Sequence, residues 1–224
     1  MKSERVKKAP GDTLKINEIF YSIQGESTFS GRPCVFVRLT YCNLRCSYCD
    51  TTYAFFEGRT MTQDEIIAGI RQFDCRLIEI TGGEPLLQKN VHPLMTELCN
   101  QGYEVLLETA GHMDISQVDP RVKRIMDIKC PSSGESQKIL WTNLTYLNAD
   151  DEIKFVVGLE ADLTWAAEVI KKHALTDICP VILSPVFGSM ENRRLAEWIL
   201  SSRLPVRMQI QLHKQIWEAN EKGR

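Results

Sequence analysis

Five groups of chemically unusual residues in this chain each sit at the far end of a strand-length apolar run. That placement constrains the fold more than any composition figure. Strand-like segments recur at 14–22, 34–40, 77–81, 103–108, 122–127, 153–157, 179–184 and 205–211. Several are near-continuous apolar runs, the pattern of parallel strands covered on both faces. Helical patterns lie between them. Thr62-Gln63-Asp64-Glu65 is a capping box that opens a helix running to about Phe73. Val91, Leu94, Met95 and Leu98 follow the i, i+3, i+4, i+7 rule and predict an amphipathic helix over 91–101. Residues 160–173 and 189–201 read as helices too. This alternation predicts an α/β fold with a parallel sheet. The unusual groups are a cysteine loop after 34–40, Thr81-Gly82-Gly83-Glu84-Pro85 after 77–81, and Glu108-Thr109-Ala110-Gly111 after 103–108. Asp127-Ile128-Lys129 follows 122–127, and His213-Lys214 follows 205–211. Barrel and open α/β enzymes build their sites at the carboxyl ends of strands. The sheet is therefore expected to be barrel-like, with a site at one end.

The cysteine loop reads Cys42-Asn43-Leu44-Arg45-Cys46-Ser47-Tyr48-Cys49-Asp50, a C-x3-C-x2-C spacing. Thiolates this close converge on one centre, a metal or an iron–sulfur cluster, better than they form a disulfide. A closed zinc site or a fully ligated cluster takes four protein ligands. Three leave one coordination position open for chemistry. The plainer alternative is a zinc knuckle with Cys34 or Cys75 as fourth ligand.

Composition limits the other classes. The chain has 224 residues, one domain's worth, with 43% hydrophobic and 25% charged residues. A net charge of −2 offers no nucleic-acid surface. The basic run from Lys2 to Lys8 is followed by no apolar stretch, so it is not a secretory signal. No window approaches the ~20 apolar residues of a membrane span. Residues 1–13, polar and basic with Pro10 and Gly11, are expected to be a flexible tail, and 14–224 the core domain. Eight cysteines in a large chain without an export signal argue for free cytosolic thiols rather than a disulfide framework. Cys75, Cys99 and Cys179, set among apolar residues, read as buried.

The C-x3-C-x2-C loop, with Tyr48 before the last cysteine, resembles the signature of the radical S-adenosylmethionine (radical SAM) superfamily. Thr81 to Pro85 resembles that superfamily's glycine–glycine–glutamate–proline motif. The resemblance implies a partial (β/α)6-type barrel with an N-terminal extension strand. It also implies a 4Fe–4S cluster on Cys42, Cys46 and Cys49, with S-adenosylmethionine on the open iron. One electron would then cleave the sulfonium to give a 5′-deoxyadenosyl radical. Close glycine backbone would leave a carbonyl for the SAM ammonium, with Glu84 adding charge there. Tyr48, Cys49, Asp50, Gly83, Asp127, Ile128 and Lys129 would line SAM.

A longer pattern is more specific. Ile23-Gln24-Gly25-Glu26, Phe36-Val37-Arg38-Leu39, Cys49-Asp50-Thr51, Glu108-Thr109, Asp151 to Val156 and Gln211-Leu212-His213-Lys214 together resemble the 7-carboxy-7-deazaguanine synthase family, over nearly the whole chain. That family contracts the ring of 6-carboxy-5,6,7,8-tetrahydropterin with loss of ammonia, in queuosine and related deazapurine pathways. The resemblance implies that Ile23, Gln24, Gly25 and Thr81 contact the pterin and that Arg38 faces its carboxylate; the plainer reading of Arg38 is a strand-end salt bridge. It implies Thr51 as a magnesium ligand, Glu108 and His213 as secondary contacts, a flavodoxin or ferredoxin as electron donor, and a cytoplasmic homodimer. Three departures stand out: Ser27 and Tyr41 replace glycines common in the family, and Asp127-Ile128-Lys129 stands where others read Ser-Pro-Lys. In some relatives the terminal carboxylate, here of Arg224, reaches the substrate. Two alternatives remain: a glycyl-radical-enzyme activating enzyme, and a non-catalytic iron–sulfur or zinc protein.

Overall fold

The computed structural model describes residues 12–218 and 221–223. The expected tail therefore lies outside the described residues up to position 11, and Arg224 also lies outside them. The elements, in chain order, are strands β1 (Thr13–Ile23), β2 (Pro33–Leu39) and β3 (Arg59–Thr62), helix α1 (Gln63–Arg71), β4 (Leu77–Gly82), α2 (Val91–Asn100), β5 (Glu104–Thr109), β6 (Lys123–Asp127), β7 (Glu152–Val157), α3 (Glu160–Lys172), β8 (Val181–Pro185), α4 (Asn192–Ser202), β9 (Arg207–Met208) and the short α5 (His213–Ile216).

They form one nine-stranded sheet in the order β3-β1-β2-β4-β5-β6-β7-β8-β9. From β2 through β9 every neighbour is parallel. β1 pairs antiparallel with β2 and with β3. The partial barrel with an N-terminal extension strand is thus borne out, and its sheet stays open rather than closing. Two details differ from expectation. β3 is an additional four-residue edge strand just before the α1 capping box, in a polar stretch with no apolar alternation to announce it. The strand expected over 205–211 is only two residues long: Gln209 N bonds Leu183 O, and the chain then leaves the sheet to cross the mouth of the site.

Register explains why the strands look continuously apolar yet carry chemistry. On the outer face lie Val35, Val37, Leu39, Ile78, Ile80, Val105 and Leu107, packed against α1 and α2. Ile153, Phe155 and Val157 pack the same way against α3 and α4. The alternate residues point to the concave face. There the lower layer is Phe20, Phe36, Leu106 and Ile125. Toward the carboxyl ends the inward positions turn polar.

The period read from α2 holds. Val91, Leu94, Met95 and Leu98 are all fully buried. Thr62 and Glu65 form the reciprocal capping box that starts α1. All eight cysteines are free thiols; Cys179 is buried as expected, whereas Cys75 and Cys99 are half-buried. No helix among the described residues is long and apolar enough to cross a membrane. Leu94→Ala should destabilise the protein by about 2–5 kcal/mol, read from denaturant midpoints, because a side chain packed on the sheet leaves a cavity.

Candidate active site

A cleft of about 620 Å³ opens at the carboxyl ends of the parallel strands. It takes Ile23, Gln24 and Gly25 from the loop after β1, Arg38 from β2, and Thr81 and Gly83 from the end of β4. Cys42, Cys46, Tyr48, Cys49, Asp50 and Thr51 come from the cysteine loop, and Asp127 and Lys129 from the end of β6. The structure therefore brings all but two of the expected site residues into one space. The exceptions are Glu84 and Ile128, the latter's side chain being fully buried in the core beneath α3.

The cysteine loop is held from three sides by groups distant in sequence. Ser47 N donates to Ser133 O at 3.0 Å, and the Ser47 hydroxyl to Ser132 O at 2.7 Å. Arg45 N donates to Glu135 at 2.6 Å. The His112 ring meets Asn43 Oδ1 at 2.6 Å. Inside the loop, Leu44 N donates to the Cys42 sulfur at 3.4 Å. The three thiols are half-buried. Burial pushes the Cys46 thiol up to about 11 despite the nearby Lys129 ammonium. His112, Ser132, Ser133 and Glu135 carry no motif, and sequence reading missed them.

The other end of the cleft is an ion network. Lys154, on β7, is 3% exposed in its side chain and meets Glu26 at 2.6 Å, Glu108, and Asp127 at 3.9 Å. Asp127 also takes Lys129 at 2.7 Å. The other Asp127 oxygen is buried and has no hydrogen-bond partner. Burial opposes ionisation of Glu26, but Lys154, together with Gln211 and His213, outweighs it and holds the carboxyl at about 2. Thr81 donates to Glu108 at 3.3 Å. Arg38 lines the cleft, and its Nε–H bonds Glu18 at 2.7 Å, the salt bridge of the plainer reading. The Tyr53 hydroxyl donates to the same Glu18 oxygen at 2.9 Å. The Thr51 hydroxyl donates to Asp50 at 2.9 Å, and Lys214 grips the other Asp50 oxygen at 2.5 Å.

Glycines sit where a side chain cannot. A Cβ on Gly83 would collide with the Tyr41 carbonyl, and one on Gly25 with the His213 ring. Ser27 and Tyr41, the departures from family glycine, have φ of 63° and 83°, the left-handed region that favours glycine. Ser27 is held there by Gln209, whose amide receives its N–H at 2.5 Å and donates to its carbonyl at 2.6 Å. The Ser27 hydroxyl also accepts from Phe29 N at 3.1 Å. The Tyr41 carbonyl accepts Glu84 N at 2.7 Å.

Glu84 corrects an expectation. It is fully buried behind the cleft and does not line it. Its carboxyl accepts from Leu86 N at 3.1 Å, Ala110 N at 2.9 Å and the Thr109 hydroxyl at 2.9 Å, tying the β4 turn to the end of β5. Burial raises its pKa, and the backbone N–H groups, the Thr109 hydroxyl and Lys129 oppose that rise.

A zinc knuckle needs its donors gathered round one ion. Among the described residues no three His, Cys, Asp or Glu side chains are gathered so tightly. Three thiols facing one cleft, beside Gly83 and an unpartnered Asp127 oxygen, fit a cluster with a small-molecule ligand at its open position.

Comparison with known proteins agrees. The model of the Radical SAM superfamily matches residues 37–131. The chain is 52% identical to the 7-carboxy-7-deazaguanine synthase of Chlorobaculum tepidum, covering 94% of this chain and 97% of that protein. It is 43% identical to the enzyme of the same name from Koribacter versatilis, covering 94% and 100%. The crystal structure of QueE from Escherichia coli superposes with a TM-score of 0.76 at 24% identity, over 90% of this chain and 95% of that one.

Glu84→Gln should lower stability by about 1–3 kcal/mol, because the amide NH2 would replace an oxygen that accepts from a backbone N–H and from the Thr109 hydroxyl. An unchanged melting temperature would remove Glu84 as the tie between β4 and β5.

Proposed function

The chain belongs to the 7-carboxy-7-deazaguanine synthase family within the Radical SAM superfamily, and on that premise we propose how its residues carry the reaction. The enzyme is a lyase that contracts 6-carboxy-5,6,7,8-tetrahydropterin to 7-carboxy-7-deazaguanine with loss of ammonia. When bound, a 4Fe–4S cluster and S-adenosylmethionine supply the radical that takes hydrogen from C6 of the pterin. The chain's part is to bind, orient and shield.

Cys42, Cys46 and Cys49 hold the cluster in this reading. Tyr48, Asp50, Gly83, Asp127 and Lys129 form the SAM wall, and Ile128 contributes only main-chain atoms. Ile23, Gln24, Gly25 and Thr81 form the pterin wall. Arg38 offers a planar guanidinium to the substrate carboxylate. Thr51 would hold magnesium, a single hydroxyl being a small protein share for an ion that often keeps several waters. A cation there would draw charge toward the carboxylate as the ring rearranges. The observation that carries the reading is the shared cleft: three thiols and a convergent polar pocket open into the same space.

Electrons come from a flavodoxin or ferredoxin in this proposal. Support comes from a cation–aromatic patch on the cysteine loop, where the Arg45 guanidinium lies 4.3 Å over the Phe55 ring and Phe56 is 69% exposed. A cytoplasmic homodimer completes the reading.

Reconstituted protein, incubated anaerobically with SAM, reductant and the carboxypterin, should release ammonia and yield a product one ammonia lighter by mass spectrometry. SAM cleavage with an unaltered pterin would point instead to another radical SAM substrate. Arg38→Ala should raise KM for the pterin by about 10–100-fold through loss of a charge-assisted contact, while SAM still binds. Turnover should rise when magnesium is restored after chelation, and Thr51→Ala should blunt that rise; indifference to the ion would remove the magnesium site.

A further inference from the structure

One buried acid of the cleft has no part in the roles above. Glu79 lies on β4 two residues before Thr81, so both side chains point to the concave face. Its register partners are Phe36 of β2 and Leu106 of β5. It is therefore a carboxyl set into an apolar layer, 4% exposed, at the wall of the cleft.

Its contact is an uncharged amide: Gln24 Nε2 donates to one Glu79 oxygen. The Gln24 amide oxygen meanwhile accepts Glu26 N at 3.0 Å. The two bonds together fix which way the amide faces, and with it the shape of the 24–26 loop. The ammonium of Lys154 goes to Glu26, Glu108 and Asp127. A fourth buried carboxylate with an amide as its donor would be costly, since burial and like charge both favour the protonated form. Burial, with Glu108 and Glu26 adding to it, pushes the Glu79 carboxyl well above its ordinary range against Lys154 and Gln24.

We propose that Glu79 is a positioning residue acting as a neutral acid: it anchors the Gln24 loop and spares the pocket a further negative charge that would repel an anionic substrate. In the network beside it three carboxyl groups, Glu26, Glu108 and Asp127, meet two ammonium groups, Lys129 and Lys154, and an ionised Glu79 would widen that imbalance. That the substrate is anionic rests on the ring-contraction reading.

The groups that face Glu79 allow an alkaline effect to be assigned. They are Glu26 from the loop after β1, Cys34 from β2, Glu108 from β5 and Lys154 from β7. Glu26 is held at about 2, and Cys34 and Lys154 are both pushed upward. Burial moves His213, which faces Glu26 and Glu108, downward, so it titrates on the acid side.

The test compares wild type with Glu79→Gln and Glu79→Leu from about pH 6 to about pH 9. Two readouts are taken: KM and kcat of the holoenzyme, and equilibrium binding of 6-carboxypterin followed by its own fluorescence. Wild type should lose affinity as pH rises, and Glu79→Gln, which cannot ionise, should lose that limb. Glu79→Leu fits the apolar layer but cannot hold Gln24; it should raise KM about tenfold at every pH, with kcat moving less. An alkaline limb unchanged in Glu79→Gln, or wild-type affinity in Glu79→Leu, would overturn the proposal. Failure of the ring-contraction reading shows differently, as wild type that releases no ammonia; the binding curves then still decide the role of Glu79.

Discussion

Lys154 brings one ammonium, almost without solvent, between carboxylates that reach it from the loop after β1, from β5 and from β6. A lone buried charge of this kind costs several kcal/mol unless it is paired and hydrogen-bonded. Here the pairing joins parts of the chain up to 128 residues apart. The same contacts set where the 24–26 loop, Glu108 and Asp127 stand relative to one another. Removing the ammonium would leave three carboxylates facing each other, so the geometry of the pocket depends on this one side chain. The open sheet makes the arrangement possible: inward-pointing residues of neighbouring strands converge at the carboxyl ends, while the layer beneath stays apolar.

Much of this was legible in the sequence because it is local. The C-x3-C-x2-C loop, Gly82-Gly83, the Thr62 capping box and the α2 stripe depend on spacings of a few residues, which a chain displays whatever its tertiary context. The polar residues at strand ends were legible too, since a polar side chain interrupting an apolar strand must face something other than core. What stayed hidden depends on partners far along the chain. Nothing near Ser132 or His112 announces that they brace the cysteine loop. Glu84 was read as a charge near the cofactor, yet its oxygens are taken by Leu86, Ala110 and Thr109. Ile128 shares its tripeptide with two cleft residues, but strand alternation turns it the other way.

The departures from family glycine gain a physical meaning. Ser27 and Tyr41 keep the left-handed backbone while carrying a Cβ, a conformation that costs roughly 1–2 kcal/mol. At both positions hydrogen bonds hold the backbone in place: Gln209 and Phe29 at Ser27, Ala54 and Glu84 at Tyr41. The loop geometry is held by its partners rather than by freedom of the residue itself.

Those partners include the segment 209–214. Gln209 grips Ser27, Leu212 N bonds the Gly25 carbonyl at 3.0 Å, Gln211 donates to Glu26 at 2.9 Å, and Lys214 holds Asp50. Residues 209–214 are thus stitched across the working face. Ribosomal synthesis must pass Lys214 before the pocket can assume its final shape.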